Sequence, residues 1–256
     1  MRRCLPYLVF ITALPACHRE EEPVDTTPPE DTAPEGPVYP TGDRILLYTG
    51  HGGATPSGSG GFGSFDDIDA HWKDLYGWNT DVRDSLGDDL SSYRLVGLMA
   101  PGLNGGGTFS VEEIDLLEHA RRRGTRIAIF NEVDNCDTNV IGNLLENWGI
   151  LPRFSGEGVD EFSMVAASFI GQEQMTEGVD EMRFSDPCFV EANGAPYVVS
   201  WEGNHIVAKD QPLGWGGEVV LIGDLEILDD TENYNLADNL VFDENLVKVE
   251  PGYQAR

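Results

Sequence analysis

From residue 43 onward, short apolar runs alternate with stretches of helical periodicity. Continuous hydrophobic runs predict buried strands at 44–49, 95–100, 125–130 and 218–223. Apolar residues at three- and four-residue spacing predict helices at 65–76, 110–123, 139–148 and near 236–247. This alternation predicts an α/β fold with a doubly wound, mainly parallel sheet that is covered on both faces.

The clearest unit of the pattern runs from Arg94 to Phe130. Ser110 and Glu113 have the spacing of a capping box, and Gly124 follows the last predicted turn of the helix. The unit is therefore predicted to be a strand, a helix and a second strand parallel to the first, with the helix forming a right-handed crossover between the strands.

Weaker patterns fill the rest of the chain. A short strand is expected at 78–83, and further strands at 162–169 and 195–202. The last two belong to a more irregular, β-rich insertion around 155–200.

The amino terminus has the layout of an export signal. Two arginines precede an apolar run at 5–14, which is too short to span a bilayer, and Leu14-Pro15-Ala16-Cys17 follows. This ending resembles the lipobox of bacterial lipoproteins, in which cleavage precedes the cysteine, so Cys17 is the expected lipidation site. The alternative is an ordinary secretory signal with an incidental cysteine. Either interpretation places the protein outside the cytoplasm, and the lipid would anchor it to a membrane of the bacterial cell envelope.

Segment 18–41 contains six prolines and seven acidic residues and has almost no apolar side chains. Such a segment cannot bury enough surface to offset its ordering entropy, so it is predicted to be a disordered tether between residues 1–17 and a single folded domain, 42–256. The whole chain has a formal charge of −29. That charge repels phosphate backbones, so no nucleic-acid partner is expected.

The four cysteines are consistent with an extracytoplasmic location. Cys4 would leave with the signal and Cys17 would be lipidated, so Cys136 and Cys188 remain as an even pair. In an oxidising compartment such a pair favours a disulfide. Two buried thiols are the alternative.

Polar residues follow several predicted strands, at the edge where open α/β sheets hold their ligands. The candidate binding residues are His51, Glu132, Asp134, Asp224 and Glu226. Clustered carboxylates would suit Ca²⁺ or a sugar-like ligand. The alternative is that these charges only solvate loop ends, since no loop has the spacing of an EF-hand. No organic cofactor is expected, and calcium stays possible.

Other chemistry has little support. Gly58–Gly63 matches GxGxxG, but it begins well after the preceding strand, so a mobile loop over the cleft is the better interpretation. The histidines lack zinc-binding spacing. No G-x-S-x-G or G-x-C-x-G elbow occurs, and the strand ending at Phe130 continues into Asn131-Glu132.

The succession RILLYTGHGG, YRLVGLMAP, TFSVEEIDLLEHARRRGTRIAIFNE, NLLENWGI, MTEGVDEM and GGEVVLIGDLEILDD, followed by an Asn-rich helix, resembles the class I glutamine amidotransferase-like superfamily. The resemblance covers residues 43–249. It is strongest to the non-enzymatic domains of gliding-motility ABC-transporter auxiliary proteins and intraflagellar-transport components. It implies a flavodoxin-like sheet.

The superfamily's enzymes carry a cysteine after the strand that matches 125–130 and a His-x-Glu after a late strand. This chain has Asn131-Glu132 at the first place and Asp224-Leu225-Glu226 at the second. The resemblance therefore implies a catalytically silent domain that binds an envelope protein or a glycan through a cleft. The alternative is a hydrolase of glycan-like substrates, in which Glu132 and Asp224 or Glu226 act as general acid and base.

Overall fold

The computed structural model of the protein describes residues 42–55, 64–136, 139–159, 163–210, 216–228 and 235–248. Three features predicted from the sequence lie outside these ranges. They are the signal with Cys17, the segment 18–41 and the Gly58–Gly63 motif.

The described part of the chain contains twelve strands and four α-helices. The strands are β1 (Arg44–Tyr48), β2 (Asn79–Arg83), β3 (Tyr93–Met99), β4 (Arg126–Phe130), β5 (Arg153–Gly158), β6 (Met164–Ala167), β7 (Phe169–Ile170), β8 (Met182–Ser185), β9 (Cys188–Glu191), β10 (Tyr197–Trp201), β11 (Asn204–Asp210) and β12 (Val219–Ile222). The helices are α1 (Asp66–Tyr76), α2 (Val111–Arg122), α3 (Gly142–Trp148) and α4 (Asn239–Val247).

Eight strands form the central sheet, in the order β2-β1-β3-β4-β12-β11-β10-β7. The first five strands are mutually parallel, and β11, β10 and β7 extend the sheet in antiparallel fashion. The parallel part has the strand order of flavodoxin-like folds, with its switch point between β1 and β3. The predicted α/β fold with a mainly parallel sheet is therefore confirmed.

A separate hydrophobic core covers each face of the sheet, as a doubly wound fold requires. On one face, Ile45 and Leu47 of β1 join a core that includes residues of α1 and α4. On the other face, Leu46 and Tyr48 join a core that includes residues of α2 and α3. β4 and β12 are buried along their whole length because both of their faces are covered.

Helix α2 begins with the capping box that the sequence predicts. Ser110 Oγ accepts a hydrogen bond from the Glu113 amide at 3.2 Å, and Glu113 Oε2 accepts one from the Ser110 amide at 2.8 Å. This reciprocal pair satisfies two amides that the first helical turn leaves without intrahelical partners.

The β-rich insertion forms two small antiparallel sheets, β5-β9 and β6-β8. Residues of β6 and β8 belong to the core that α1 and α4 cover, while residues of β5 and β9 belong to the opposite core. The turn at Asp186-Pro187, between β8 and β9, therefore carries the chain from one face of the main sheet to the other.

The strand predictions for this region need two corrections. The single strand predicted at 162–169 is two strands in different sheets, since β6 pairs with β8 whereas β7 pairs with β10 of the main sheet. Strand β11 was not predicted, and β5, β8 and β9 were expected only as part of an irregular β-rich insertion. Among the described residues, no helix has the length and hydropathy of a membrane span.

Candidate functional site

The carboxyl ends of β1, β3, β4 and β12 lie along one edge of the sheet, because these strands are parallel. Glu132 follows β4, and Asp224 and Glu226 follow β12 directly beside it. His51 follows β1, two strands away from β4 in the sheet order. The predicted site residues therefore share one edge but not one location along it.

Glu132 lies at the centre of a group of four acidic residues. Its side chain is almost completely buried, with 5% of the residue exposed. Burial, and then the neighbouring charges of Asp224, Glu226 and Asp186, raise the pKa of Glu132 to about 10, although the Val133 amide opposes the shift by donating to Oε1 at 3.0 Å. Oε2 has no hydrogen-bond partner among the described residues. Glu132 is therefore a neutral carboxylic acid at neutral pH.

Asp224 is completely buried and has hydrogen bonds to both of its carboxyl oxygens. The Ser185 amide donates to Oδ2 at 2.6 Å, and the Glu226 amide donates to Oδ1 at 2.7 Å. Burial and the charge of Glu226 nevertheless raise the pKa of Asp224 well above its ordinary value. Its contacts hold backbone segments together and leave little capacity for a ligand.

The chain's own insertion covers this acidic group. The Cys188 amide donates to the Gly223 carbonyl at 2.8 Å. The fit is so close that a Cβ on residue 223 would lie 2.0 Å from the Cys188 carbonyl oxygen, which only glycine can accommodate. Cys188 also forms a disulfide with Cys136, and its sulfur lies 2.9 Å from the Glu132 carbonyl oxygen.

The structure does not bring together all five residues of the cleft predicted from the sequence, which are Glu132, Asp134, Asp224, Glu226 and His51. Glu132, Asp224 and Glu226 do converge, but they do so beneath the β8–β9 turn. Asp134 is exposed on the short 3-10 helix Val133–Asn135 and does not share their burial. Sequence patterning could not show the covering turn, because an insertion's path over a sheet leaves no periodic signal.

Among the open cavities that described residues line, two are not lined by any predicted site residue. The larger, of about 520 Å³, includes Glu173 and Thr176 in its lining, and the smaller, of about 370 Å³, includes Met164 and Leu236.

His51 belongs to a second polar group, at the switch point between β1 and β3. Its Nε2 lies 3.1 Å from Glu113 Oε1, and the Tyr48 hydroxyl donates to the same oxygen at 3.3 Å. The Phe109 ring packs against the imidazole with centroids 4.2 Å apart. Burial favours a higher pKa for Glu113, but the hydrogen bonds from Ser110 and the proximity of His51 outweigh it and lower the pKa.

Glu113 and Tyr48 were missed as candidate site residues. The sequence identified Glu113 only as part of a capping box, and Tyr48 only as part of a buried strand. The two residues become neighbours at the carboxyl edge only when helix α2 packs above that edge. The sequence pattern does not predict this packing.

Two non-glycine residues with left-handed backbone flank the switch point. His51 has φ 54° and Ala100, directly after β3, has φ 45°. Their loops are joined by a hydrogen bond from the Gly102 amide to the His51 carbonyl at 2.8 Å, and by another from Asn104 to Gly52 at 2.7 Å. Left-handed turns after a strand are where this type of sheet can present a nucleophile. Here the position after β3 holds a buried alanine.

The position after β4 also lacks a nucleophile. Asn131 is buried, and its backbone amide donates to the Ile222 carbonyl at 2.9 Å. Its side-chain Oδ1 accepts a hydrogen bond from the Asn135 side chain at 2.9 Å. These contacts fix the loop between β4 and the following 3-10 helix.

The described residues offer no arrangement that suits a metal ion. Within them, no group of three or more histidine, cysteine, aspartate or glutamate side chains is placed to hold one.

Comparisons with known proteins identify the fold. No family model and no curated protein matches the chain. Among solved structures, the mmIFT52 N-terminal domain aligns at TM-score 0.56 and 15% identity, over 77% of this chain and 92% of that chain. The cytoplasmic protein STM1381 from Salmonella typhimurium LT2 aligns at 0.57 and 11%, over 80% and 98%. A putative ThuA-like protein from Bacteroides uniformis aligns at 0.50 and 12%, over 82% and 92%. At these identities the likeness shows a shared α/β fold only.

Proposed function

We propose that the chain is a non-catalytic member of the amidotransferase-like superfamily that acts as a membrane-tethered, extracytoplasmic binding domain. The observation that carries this proposal is the closed carboxyl edge of β4 and β12. Residues that would surround substrate in an enzyme are here buried beneath the β8–β9 turn, and Glu132 is 5% exposed. A substrate could not reach them without displacement of that turn.

The residues at the strand ends support the same interpretation. Acyl transfer on a sheet of this kind needs a nucleophile on a tight turn, oriented by a nearby base. Ala100 has the left-handed turn but no reactive group, and Asn131 has its side chain engaged with Asn135. The domain therefore has the scaffold for such chemistry but lacks the attacking atom at these two positions.

The switch point between β1 and β3 is the most suitable surface for binding a partner. The side chains of His51 and Glu113 are 14% and 28% exposed, so both are accessible at the rim. The loop that follows β3 is exposed from Asn104 to Thr108. Polar groups held rigidly beside an exposed loop suit recognition of an envelope protein or a glycan.

The hydrolase of glycan-like substrates has less support. Its acid and base must flank a pocket that admits a sugar ring and a water molecule. Glu132 would be protonated, as a general acid requires, but Asp224 is fully buried and bonded to two backbone amides. Measured hydrolysis of a glycoside that Glu132→Gln abolishes would establish the hydrolase and reject the binding domain.

The binding surface can be tested by site-specific photo-cross-linking in the source cells. A photoreactive amino acid at Thr108, on the exposed loop, should give a discrete product whose yield falls when His51→Ala is added. The matched control is the same amino acid at Asp74, which is exposed on α1. Equal products at both positions, or none at Thr108, would contradict a partner at the switch point.

The anchor rests on Cys17 and is tested separately. Labelled palmitate should enter the wild-type protein and be absent from Cys17→Ser, which should also leave the membrane fraction. Label that persists in Cys17→Ser would reject Cys17 as the lipidation site while leaving the binding surface untouched.

A further inference from the structure

The disulfide between Cys136 and Cys188 joins two parts of the chain that meet over the sheet edge. Cys136 follows β4, Cys188 begins β9 of the insertion, and 52 positions separate them in sequence. Cys188 is completely buried, whereas Cys136 is 7% exposed. The disulfide therefore fastens the β8–β9 turn to the end of β4 at the place where the turn covers Glu132.

Backbone amides of segment 185–188 also bind the loop that follows β12. The Ser185 amide donates to Asp224 at 2.6 Å, and the Cys188 amide donates to the Gly223 carbonyl at 2.8 Å. Asp186, between them, has left-handed backbone with φ 48°, a conformation that is unfavourable for a non-glycine residue. The turn is also held from its other side, since the Asp186 amide donates to the Ser163 carbonyl at 2.9 Å and the Val159 amide donates to the Pro187 carbonyl at 3.0 Å.

The two buried acids beneath the turn, Glu132 and Asp224, favour its removal when they ionise. Glu132 follows β4, Asp224 and Glu226 follow β12, and Asp186 lies in the covering turn itself. The neighbouring charges that raise the pKa of Glu132 are all acidic. Its Oε2 has no hydrogen-bond partner among the described residues and the residue is 5% exposed, so an ionised carboxylate would be hydrated only when the cover moves.

We propose that the Cys136–Cys188 disulfide is a redox-controlled latch, whose reduction lets segment 185–188 move off the carboxyl edge and exposes Glu132 and Asp224 to solvent. This regulatory role goes beyond the proposed function, since it concerns an edge that the oxidised protein keeps closed.

The latch reaction requires a dithiol reductant. A thiolate of the reductant attacks the Sγ of Cys136, the more exposed of the two residues, and the S–S bond breaks so that Cys188 leaves as a thiolate and takes a proton from water. The second thiolate of the reductant then attacks the mixed disulfide and releases Cys136. Two electrons pass to the protein, which gains two thiols, and the reductant becomes a disulfide.

Hydrogen exchange of the full mature chain tests the latch. At pH 8, reduction by dithiothreitol should lower amide protection in peptides covering 182–191 and 223–228 at least tenfold. Peptides covering β1 and β3 should lose at least tenfold less protection than these two segments, because local opening adds to the effect of lower global stability only in the segments that open. Reoxidation should restore the original protection.

Two variants distinguish a disulfide that controls local opening from one that only stabilises the whole fold. Cys136→Ser with Cys188→Ser should match the reduced wild type at each pH, with a smaller loss of protection at pH 5 than at pH 8, because ionisation of Glu132 and Asp224 favours the open state less at the lower pH. Adding Glu132→Gln should reduce the loss at pH 8, because one ionisable group beneath the turn is removed. Unchanged protection of 182–191 after reduction would overturn the proposal. An equal loss in β1 and β3 would also overturn it, since the disulfide would then only stabilise the whole fold.

Discussion

Glu132 and Glu218 are largely buried glutamates that lie at opposite ends of the neighbouring strands β4 and β12. Their pKa values are shifted in opposite directions. Burial and acidic neighbours raise the pKa of Glu132 to about 10. Burial would also raise the pKa of Glu218, but Arg126 and Lys209 outweigh it and lower the pKa. The amino edge is thus a paired ionic network, while the carboxyl edge is a cluster of acidic residues.

Replacement of Glu132 by glutamine should stabilise the protein at neutral and alkaline pH. A native pKa above the ordinary value means that the folded state holds a proton that the unfolded state loses. The wild-type free energy of unfolding therefore falls between about pH 4.5 and about pH 10, by at most about 1.4 kcal/mol per pH unit from this group. Urea denaturation should show Glu132→Gln more stable than the wild type by up to about 5 kcal/mol at pH 8, which is about 1.4 kcal/mol for each pH unit above 4.5, and nearly unchanged at pH 4.

The matched control is Glu146→Gln, at an exposed position of α3. It should leave stability unchanged to within about 0.5 kcal/mol at either pH. A destabilised Glu132→Gln at pH 8 would show that the ionised carboxylate has a favourable partner, and the assignment of Glu132 as a neutral buried acid would then be wrong.

Asp243 should behave similarly in a different part of the core. It is completely buried in α4, and neither carboxyl oxygen has a hydrogen-bond partner among the described residues. Burial, together with the charge of Glu244, raises its pKa well above the ordinary value. Asp243→Asn should therefore stabilise the protein by about 1–3 kcal/mol at pH 8 and have little effect at pH 4. Exposed Asp74→Asn on α1 is the control, and equal effects of the two substitutions would refute this interpretation.

Removal of Lys209 should be strongly destabilising. Its Nζ lies 2.7 Å from both Glu173 and Glu218, and only 4% of its side chain is exposed. Lys209→Met leaves both glutamates without this cation, and breaking a buried ion pair in this way costs about 3–5 kcal/mol. Thermal and urea denaturation at pH 7 measure the loss, with exposed Lys73→Met as the control. A loss below about 1 kcal/mol would contradict this prediction, because exposed surface ion pairs contribute that little.

Loss of the disulfide should lower stability as a whole in addition to releasing the β8–β9 turn. A loop of 52 residues gives about 4 kcal/mol from restriction of the unfolded chain. The Cys136→Ser, Cys188→Ser variant should therefore unfold at lower urea than the oxidised wild type and match the reduced wild type. A difference between the variant and the reduced wild type would show that the substitutions disturb more than the bond.

The parallel part of the fold could be predicted because its signals are local. Continuous apolar strands and the Ser110–Glu113 capping box lie within single segments, and the structure contains them within a few residues of the predicted limits. The antiparallel extension was only partly predicted. The segment 162–169 has one β-rich pattern, but the chain changes sheets near Ser168, and which strand each half pairs with depends on distant residues.

The convergence of Glu132 and Asp224 could be predicted from the sequence, but their burial could not. Glu132 and Asp224 converge because parallel strands end at a common edge, which topology alone implies. Their burial depends on close packing of the Gly223 backbone against the Cys188 carbonyl oxygen. This contact joins two segments that are distant in sequence. The even pair of cysteines was the one sequence signal that the insertion could return to the end of β4.

Titration of Glu132 is the sharpest test of the closed carboxyl edge. Carbon-13 NMR of the side-chain carboxyls, with the Glu132 resonance assigned by its absence from Glu132→Gln, follows this group through a pH titration of the oxidised protein. We predict that Glu132 stays protonated through neutral pH, with a midpoint near 10. A midpoint near the ordinary glutamate value of about 4.3 would mean that water reaches the carboxyl group, and the closed edge on which the non-catalytic assignment rests would be contradicted.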